Sequence, residues 1–509
     1  MKRVACILLI VTILFSGLFI VANAHAQIPG SVTITSNTEW TVAQSPINFN
    51  GTVTVGSNAT LTIDPGVTVN LERYYLFIYG ALTAQGQADN QIIFESNANQ
   101  TSQITPSEPI FISPGSTPWN AAINSGSIIQ NAVLNSVSVN VEGSSPEIDT
   151  CVFNYATPFN SPLSVNGGSP QISNNIINYN VQSSGYSLTA ISVSGGTPLI
   201  TNNQFEGSSS GSSNVGIAVT SGVPVITSNT FGAQYGNNSD GIKVTSGSAQ
   251  IISNQFNGNG YLTGIDDSSA SAFTVSNNTF SSCFMGISAQ ARSILTVQGN
   301  SFLTGTDGID IDTGAQVTIT GNLIDGNSRY GINGGGSISS NTITNNQIGI
   351  HNPTTGVIGN NNIVANTQNS ITSTTANIDA QNNWWGITDT TTINQTIYDS
   401  KIDHHLGTIT FVPFLTQPSS SAPAIPSYTP TVTPIPTKQT PNPTPIDTPQ
   451  TTPTPTPDQY SKTFAYQVGN IINLNLIATA TAIALVLVWM IVILGYAAKR
   501  FISKSRTKK

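Results

Sequence analysis

Charge is scarce in this chain: only 7% of its 509 residues are Asp, Glu, Lys or Arg. The scarcity is also uneven. All 23 acidic residues lie between Glu39 and Asp458, and only seven basic residues share the region outside the two ends: Arg73, Lys243, Arg292, Arg329, Lys401, Lys438 and Lys462. That leaves a net charge of −16 there, which argues against nucleic acid or anionic lipid as its partner. Cysteine is rarer still. Cys6, Cys151 and Cys283 are the full set, too few for a disulfide-dense secreted scaffold. Helical periodicity is missing from the long middle of the chain, which excludes a helical bundle. Long apolar runs occur only at the ends.

Those ends read as targeting and anchoring segments. "MKR", an apolar run from Val4 to Val21 and "ANAHAQ" form a secretory signal peptide, residues 1–26. Cys6 sits inside the apolar run, too early for a lipid-anchored cysteine. Near the other end, 476–496 is 21 residues without a charge, enough to cross about 30 Å of hydrocarbon at about 1.5 Å per residue. The tail 497–509 follows with six cations, which places it in the cytoplasm and the rest outside, a single-pass arrangement. Thirteen prolines fall in 418–458, so that segment is expected to be an extended Pro/Thr-rich stalk. A juxtamembrane piece, 459–475, joins stalk to span. The ectodomain is then 27–417.

Within the ectodomain one pattern recurs. An Asn follows an aliphatic residue by three places and precedes another apolar residue by two. "SIIQNAV" (Asn131) and "EIDTCVF" (Cys151 in the Asn place) open the series. Asn175, Asn203, Asn229, Asn254, Asn278, Asn300, Asn322, Asn341 and Asn361 continue it at spacings of 19 to 28. A second series runs between these rungs, from Gly216-Ile217 through Gly241-Ile242 and Gly264-Ile265 to Gly349-Ile350. Short alternating β-branched runs separate the two, so the units are strands. A sandwich does not require one residue type at every twenty-second position. A parallel β-helix does, because each coil stacks like on like about 4.8 Å above the last. The Asn series is expected to satisfy turn backbone between coils and to take left-handed angles.

The repeat resembles the right-handed parallel β-helix surface proteins of the pectin-lyase-like superfold, of archaeal and bacterial type. "NATLTIDPGVTVNL" is similar to their entry coils, and "NNWWG" (382–386) to their closing segment. The resemblance covers roughly 40–417 and implies an all-β solenoid. It implies little chemistry, since one superfold hosts many functions. The same geometry puts Cys151 and Cys283 several coils apart, so two unpaired buried thiols are expected.

Candidate chemistry concentrates on one strand face. The Ile after each Gly points inward, so the next residue points outward, giving the row Ala218, Lys243, Asp266, Ser288, Asp310, Asn333 and His351. Lys243 and Asp266 can pair across about 5 Å. "TDGIDIDTG" adds Asp307 and Asp312 to Asp310, an acidic group suited to a glycan or to Ca²⁺. Asp267 falls on the inward row with Val219, Val244, Ala289 and Ile311, where a carboxylate is costly. "NSD", ending at Asp240, and "DD", Asp266-Asp267, resemble the first two catalytic motifs of the polygalacturonase family, which implies acid and base roles for these residues. The remaining Gly-His-Gly and Arg-Ile-Lys motifs of that family are absent. Tyr74, Tyr75, Phe77 and Tyr79 are expected to alternate between core and edge, or to stack on sugars. Trp384 and Trp385 are expected to plug an open end. Sequons at Asn50, Asn58, Asn99, Asn237, Asn277 and Asn394 are glycosylation candidates. The sequence therefore reads as an anchored surface protein with a non-catalytic glycan-binding, adhesive or structural role in the envelope. The alternative is a membrane-anchored polysaccharide hydrolase or lyase.

Overall fold

A computed structural model describes residues 26–28, 30–96, 110–155, 161–179, 188–207, 213–232, 239–354 and 356–427. The signal-peptide residues before 26, the stalk from 428, the segments 459–475, 476–496 and 497–509, and the sequons at Asn99 and Asn237 lie outside them. The chain divides into two units, Met1–Tyr428 and Thr429–Lys509, and every described residue falls in the first. Among the described residues no helix is long and apolar enough to cross a membrane.

The alternating runs form a parallel solenoid. Three sheets run its length, with 15, 16 and 14 strands. The first begins at Ala26–Ile28, the second at Val32–Ile34 and the third at Thr38–Trp40. Up to the closing segment, each inner strand pairs with the strands three places before and after it in sequence. Every coil therefore contributes one strand to each sheet. Period-two alternation turns one face of each strand inward, and the register makes those inward residues line up. In the second sheet Ile217, Ile242, Ile265, Ile287, Ile309 and Ile332 are consecutive partners, all fully buried. In the third sheet Ile172, Ile200, Ile226 and Ile251 do the same. Each such side chain contributes about 1.5–3 kcal/mol of apolar burial.

The first sheet carries an aromatic column. Phe205, Phe231, Phe256, Phe280 and Phe302 stack with successive ring centroids 4.7 Å apart and planes within 7° of parallel. This column explains the glycines of the Gly-Ile series. A Cβ on Gly241 would lie 2.7 Å from both the Phe256 ring and the Gly264 carbonyl oxygen, and one on Gly264 would lie 2.5 Å from Phe280. The glycines are there for space. Where the column gives way to Ile324, the glycines Gly331 and Gly349 instead face Asn346 and Asn366. Asn327, Asn346 and Asn366 form a second, shorter amide ladder, each backbone N–H donating to the next side-chain oxygen at 3.0–3.1 Å.

The long Asn ladder sits at the corner between third and first sheets. Asn254 shows its bonding. Its backbone N–H donates to Asn278 Oδ1 (2.8 Å), and its Nδ2 donates to Ile226 O, Ile252 O and Asn278 Oδ1 at 2.9–3.1 Å. Its own Oδ1 accepts from Asn229 N (2.9 Å). The pattern holds from Asn175 through Asn361 and extends one rung further, to Asn383. Cys151 takes the first place and donates its N–H to Asn175 Oδ1. Two sequence expectations are corrected here. The left-handed residue is the one before each ladder Asn, such as Asn202, Ser228, Ser253 and Asn277, with φ between 55° and 58°. Asn131 itself has φ 47°, and it is Ala132 that leads into the same sheet register as Cys151, so Asn131 stands one place off the ladder.

The closing segment covers the far end. Trp385 is buried and meets Phe411 edge-on at 6.0 Å, while Trp384 bridges to Asn362. Ser419 N donates to Asn362 Oδ1 (2.8 Å), Ser421 Oγ meets Ser340 Oγ (3.0 Å), and Thr342 Oγ1 donates to Pro423 O. Residues 419–423 thus lie along the flank of the solenoid. Cys151 and Cys283 are free and buried, and burial pushes both thiols up to about 12.

Removing one inner rung leaves several buried groups unpaired, so Asn254→Ala is expected to lower the unfolding free energy by roughly 2–5 kcal/mol. Asn178 lies on the outward side of the first sheet, donating to Asn154 Oδ1 at 3.0 Å. Its replacement by Ala is expected to cost less than about 1 kcal/mol. Denaturant titration of both variants measures this, and equal losses would remove the ladder from its structural role. A thiol reagent should find neither Cys151 nor Cys283 in the native protein and both after denaturation.

Candidate functional site

The outward row of the second sheet forms in register. Ala218, Lys243, Asp266, Ser288, Asp310, Asn333 and His351 are successive partners, and Thr372 follows. A second outward row runs beside it through Asp240, Thr263, Met285, Asp307 and Tyr330. The Gly-Ile pairs lie between the two rows, so residues three apart, such as Asp240 and Lys243, emerge on the same face.

One polar cluster is built on three successive coils. Lys243 Nζ lies 3.0 Å from Asp240 Oδ2 and 2.6 Å from Asp266 Oδ2. Gln290 Nε2 donates to Asp266 Oδ1 at 2.7 Å. Burial drives the Asp240 carboxyl up to about 6, although Lys243 opposes the shift. Asp267 faces inward, between Val244 and Ala289, and is fully buried. Its Oδ1 accepts from Ser269 N (2.9 Å), and its Oδ2 has no hydrogen-bond partner. Burial raises its carboxyl pKa too, against the pull of Ser269 and Ser293. The two members of "DD" therefore face opposite sides of one strand, and Asp267 cannot meet a ligand on the outer face.

The carboxylates of "TDGIDIDTG" do not converge. Asp307 is 1% exposed and is held by Arg329, whose Nε donates to Oδ1 at 2.9 Å and whose Nη2 donates to Oδ2. Tyr330 N adds a third bond to Asp307 Oδ1 (3.2 Å). Asp310 stands in the outward row and accepts from Asn333 Nδ2 (2.6 Å), with its pKa raised chiefly by burial. Asp312 is exposed. Among the described residues no group of three His, Cys, Asp or Glu side chains is placed to hold a metal. Of the three carboxylates expected to suit Ca²⁺, Asp307 is held by a bidentate arginine.

Arg329 itself was not singled out by its sequence context. Its guanidinium lies 4.9 Å over the Tyr330 ring, and that ring stacks on His351 at 4.2 Å and 8°. His351 Nδ1 meets Thr372 Oγ1 at 2.6 Å. Burial and the nearby Arg329 charge lower the His351 pKa. The one usable signal was the interval of 22 from Asp307 to Arg329, a single coil.

Residues 189–348 and 267–402 match the family model described as Right handed beta helix region. Over that stretch the chain is similar to this family. The stretch contains the whole Asp240–Lys243–Asp266 cluster and the Asp307–Arg329 pair. No curated protein matches the chain. The solenoid is thus established as fold and repeat, consistent with a surface or carbohydrate-related protein. Of the glycosylation candidates, Asn50, Asn58 and Asn277 are exposed and Asn394 is half-buried.

The carboxyl of Asp240 is expected to titrate near pH 6 when followed by carbon NMR. Lys243→Met removes the cation that favours its charged form, so the titration should move to higher pH. An ordinary carboxylate titration in the parent protein would refute the buried placement. Because the folded value lies above the unfolded value of about 3.9, this group takes up a proton on folding between those limits. Its contribution to stability therefore falls as pH rises through that window.

Proposed function

We propose that this chain is a surface-anchored β-helix protein whose outward second-sheet face binds extracellular glycan without cleaving it. The signal peptide and the apolar segment 476–496, read from sequence, support secretion and anchoring. The outward row supports binding, because it sets hydroxyl, amide and carboxylate side chains at one regular rise along an open face.

One observation carries the choice of binding over hydrolysis. Asp240 and Asp266 are joined through Lys243, and the remaining oxygen of Asp266 accepts from Gln290. Inverting hydrolysis needs a water between an acid and a free base about 6.5–9.5 Å apart. Here the space between the two carboxylates holds an ammonium, and Asp266 is spent on structure. The third acid of the motif points into the core. The alternative reading, a membrane-anchored hydrolase or lyase, would require Lys243 to swing away on substrate binding.

The test uses the purified protein with neutral and acidic polysaccharides. Retention on at least one of them, with no new reducing ends and no unsaturated products, is the expected result. Turnover that disappears in Asp266→Asn would overturn the binding reading and make the cluster catalytic.

A further inference from the structure

The strand Leu76–Ile78 carries aromatic residues at three successive outward positions, counting its two flanking residues: Tyr75, Phe77 and Tyr79. Leu76 and Ile78 turn into the core between them and are fully buried. On the next coil Phe111 is in register with Phe77, and their rings lie 5.1 Å apart and within 13° of parallel. That separation is close to the rise between strands, about 4.8 Å. The two rings therefore stand off the sheet and face each other along the solenoid axis. Tyr75 and Tyr79 flank Phe77 at 5.7 and 6.4 Å, within 30° of parallel. Three rings set side by side along one strand make a wall across the sheet. Phe111 covers part of one side. On the other side the partner of Phe77 is Thr54, which is too short to cover a ring. Tyr75 is 36% and Tyr79 46% exposed, so core packing does not account for them.

The surroundings select what the wall would take. Its outward row runs Thr54, Phe77, Phe111, Asn140, Ser164, Ser192 and then Ala218. No charge enters the row until Lys243. An ionic ligand would find no counter-charge within this row, Arg73, Glu95 and Glu142 lying on the same coils but outside it. A peptide could not add as a strand, because these strands are already paired on both sides. An uncharged sugar fits both parts of the surface. Its flat C–H face suits the ring wall, and its hydroxyl rim suits amide and hydroxyl side chains repeated at the coil rise. We propose that Tyr75, Phe77 and Tyr79, backed by Phe111, form a stacking subsite for an uncharged glycan. The proposal rests on the glycan-binding reading above and adds to it a place and a substrate class.

The experiment is calorimetric titration of the full chain in detergent with neutral and uronic-acid oligosaccharides of equal length. Four proteins are compared: the parent, Tyr75→Ala/Tyr79→Ala, Phe77→Ala and Asn178→Ala. The parent should prefer the neutral series. The double tyrosine variant should lose about tenfold or more in affinity. Asn178→Ala, on the first sheet, should leave neutral-glycan affinity unchanged. If neutral glycan binds equally to parent and both ring variants, the subsite is refuted while glycan binding stands. If nothing binds in either series, both readings fail. If the ring variants lose melting temperature with unchanged affinity, the rings serve the fold or are covered by the segment 97–109, and the subsite is refuted. Loss of self-association in the tyrosine variant, seen by light scattering with no change in glycan affinity, would assign the wall to contact between copies and also overturn the proposal.

Discussion

Everything in this molecule follows from one distance, the rise of about 4.8 Å between neighbouring parallel strands. A side chain that recurs once per coil meets its own kind at that separation. For an isoleucine this gives continuous apolar packing. For a phenylalanine it gives face-to-face stacking at 4.7 Å. For an asparagine it gives an amide that donates to one neighbour and accepts from the other. The same repetition punishes charge, because like charges one rise apart repel. The exposed rows accordingly use hydroxyls and amides, and charges appear in compensating sets such as Asp240, Lys243 and Asp266.

Much of this was legible in the sequence because period and register are sequence properties. The outward row from Ala218 to His351 forms as the Gly-Ile spacing implied, the Lys243–Asp266 pair included. The inward place of Asp267 followed from the same count. What could not be read was the second partner of a side chain. Nothing in "TDGIDIDTG" shows that Asp307 is claimed by an arginine one coil away. Nothing in the Gly-Ile series shows that the glycines make room for a phenylalanine column in another sheet. Alternation alone leaves the offset of a turn ambiguous by one residue, which is why Asn131 seemed to belong to a ladder that it only adjoins.

The second-sheet face has two chemically distinct halves. Its outward row is aromatic and uncharged in the early coils, and the later coils carry the ion pairs. The core beneath is continuous across both halves, so the difference is not needed for folding. The ion pairs also illustrate how little a carboxylate's presence says about its use. Asp240, Asp266, Asp267 and Asp307 are all largely withdrawn from water, and each is held by a different device: a shared ammonium, an amide, a turn N–H and a guanidinium.

The path of the chain after 418 has a mechanical meaning. Ser419 is bonded to the coil of Asn362, and Ser421 and Pro423 are bonded one coil earlier, at Ser340 and Thr342. A pull entering the solenoid from beyond Tyr428 would reach these flank contacts before it reached the short strand Ile409–Thr410 or the Trp385 plug. The load would be spread as shear over two interior coils, and the end cap, the part of a solenoid most easily peeled, would stay slack until those contacts gave way.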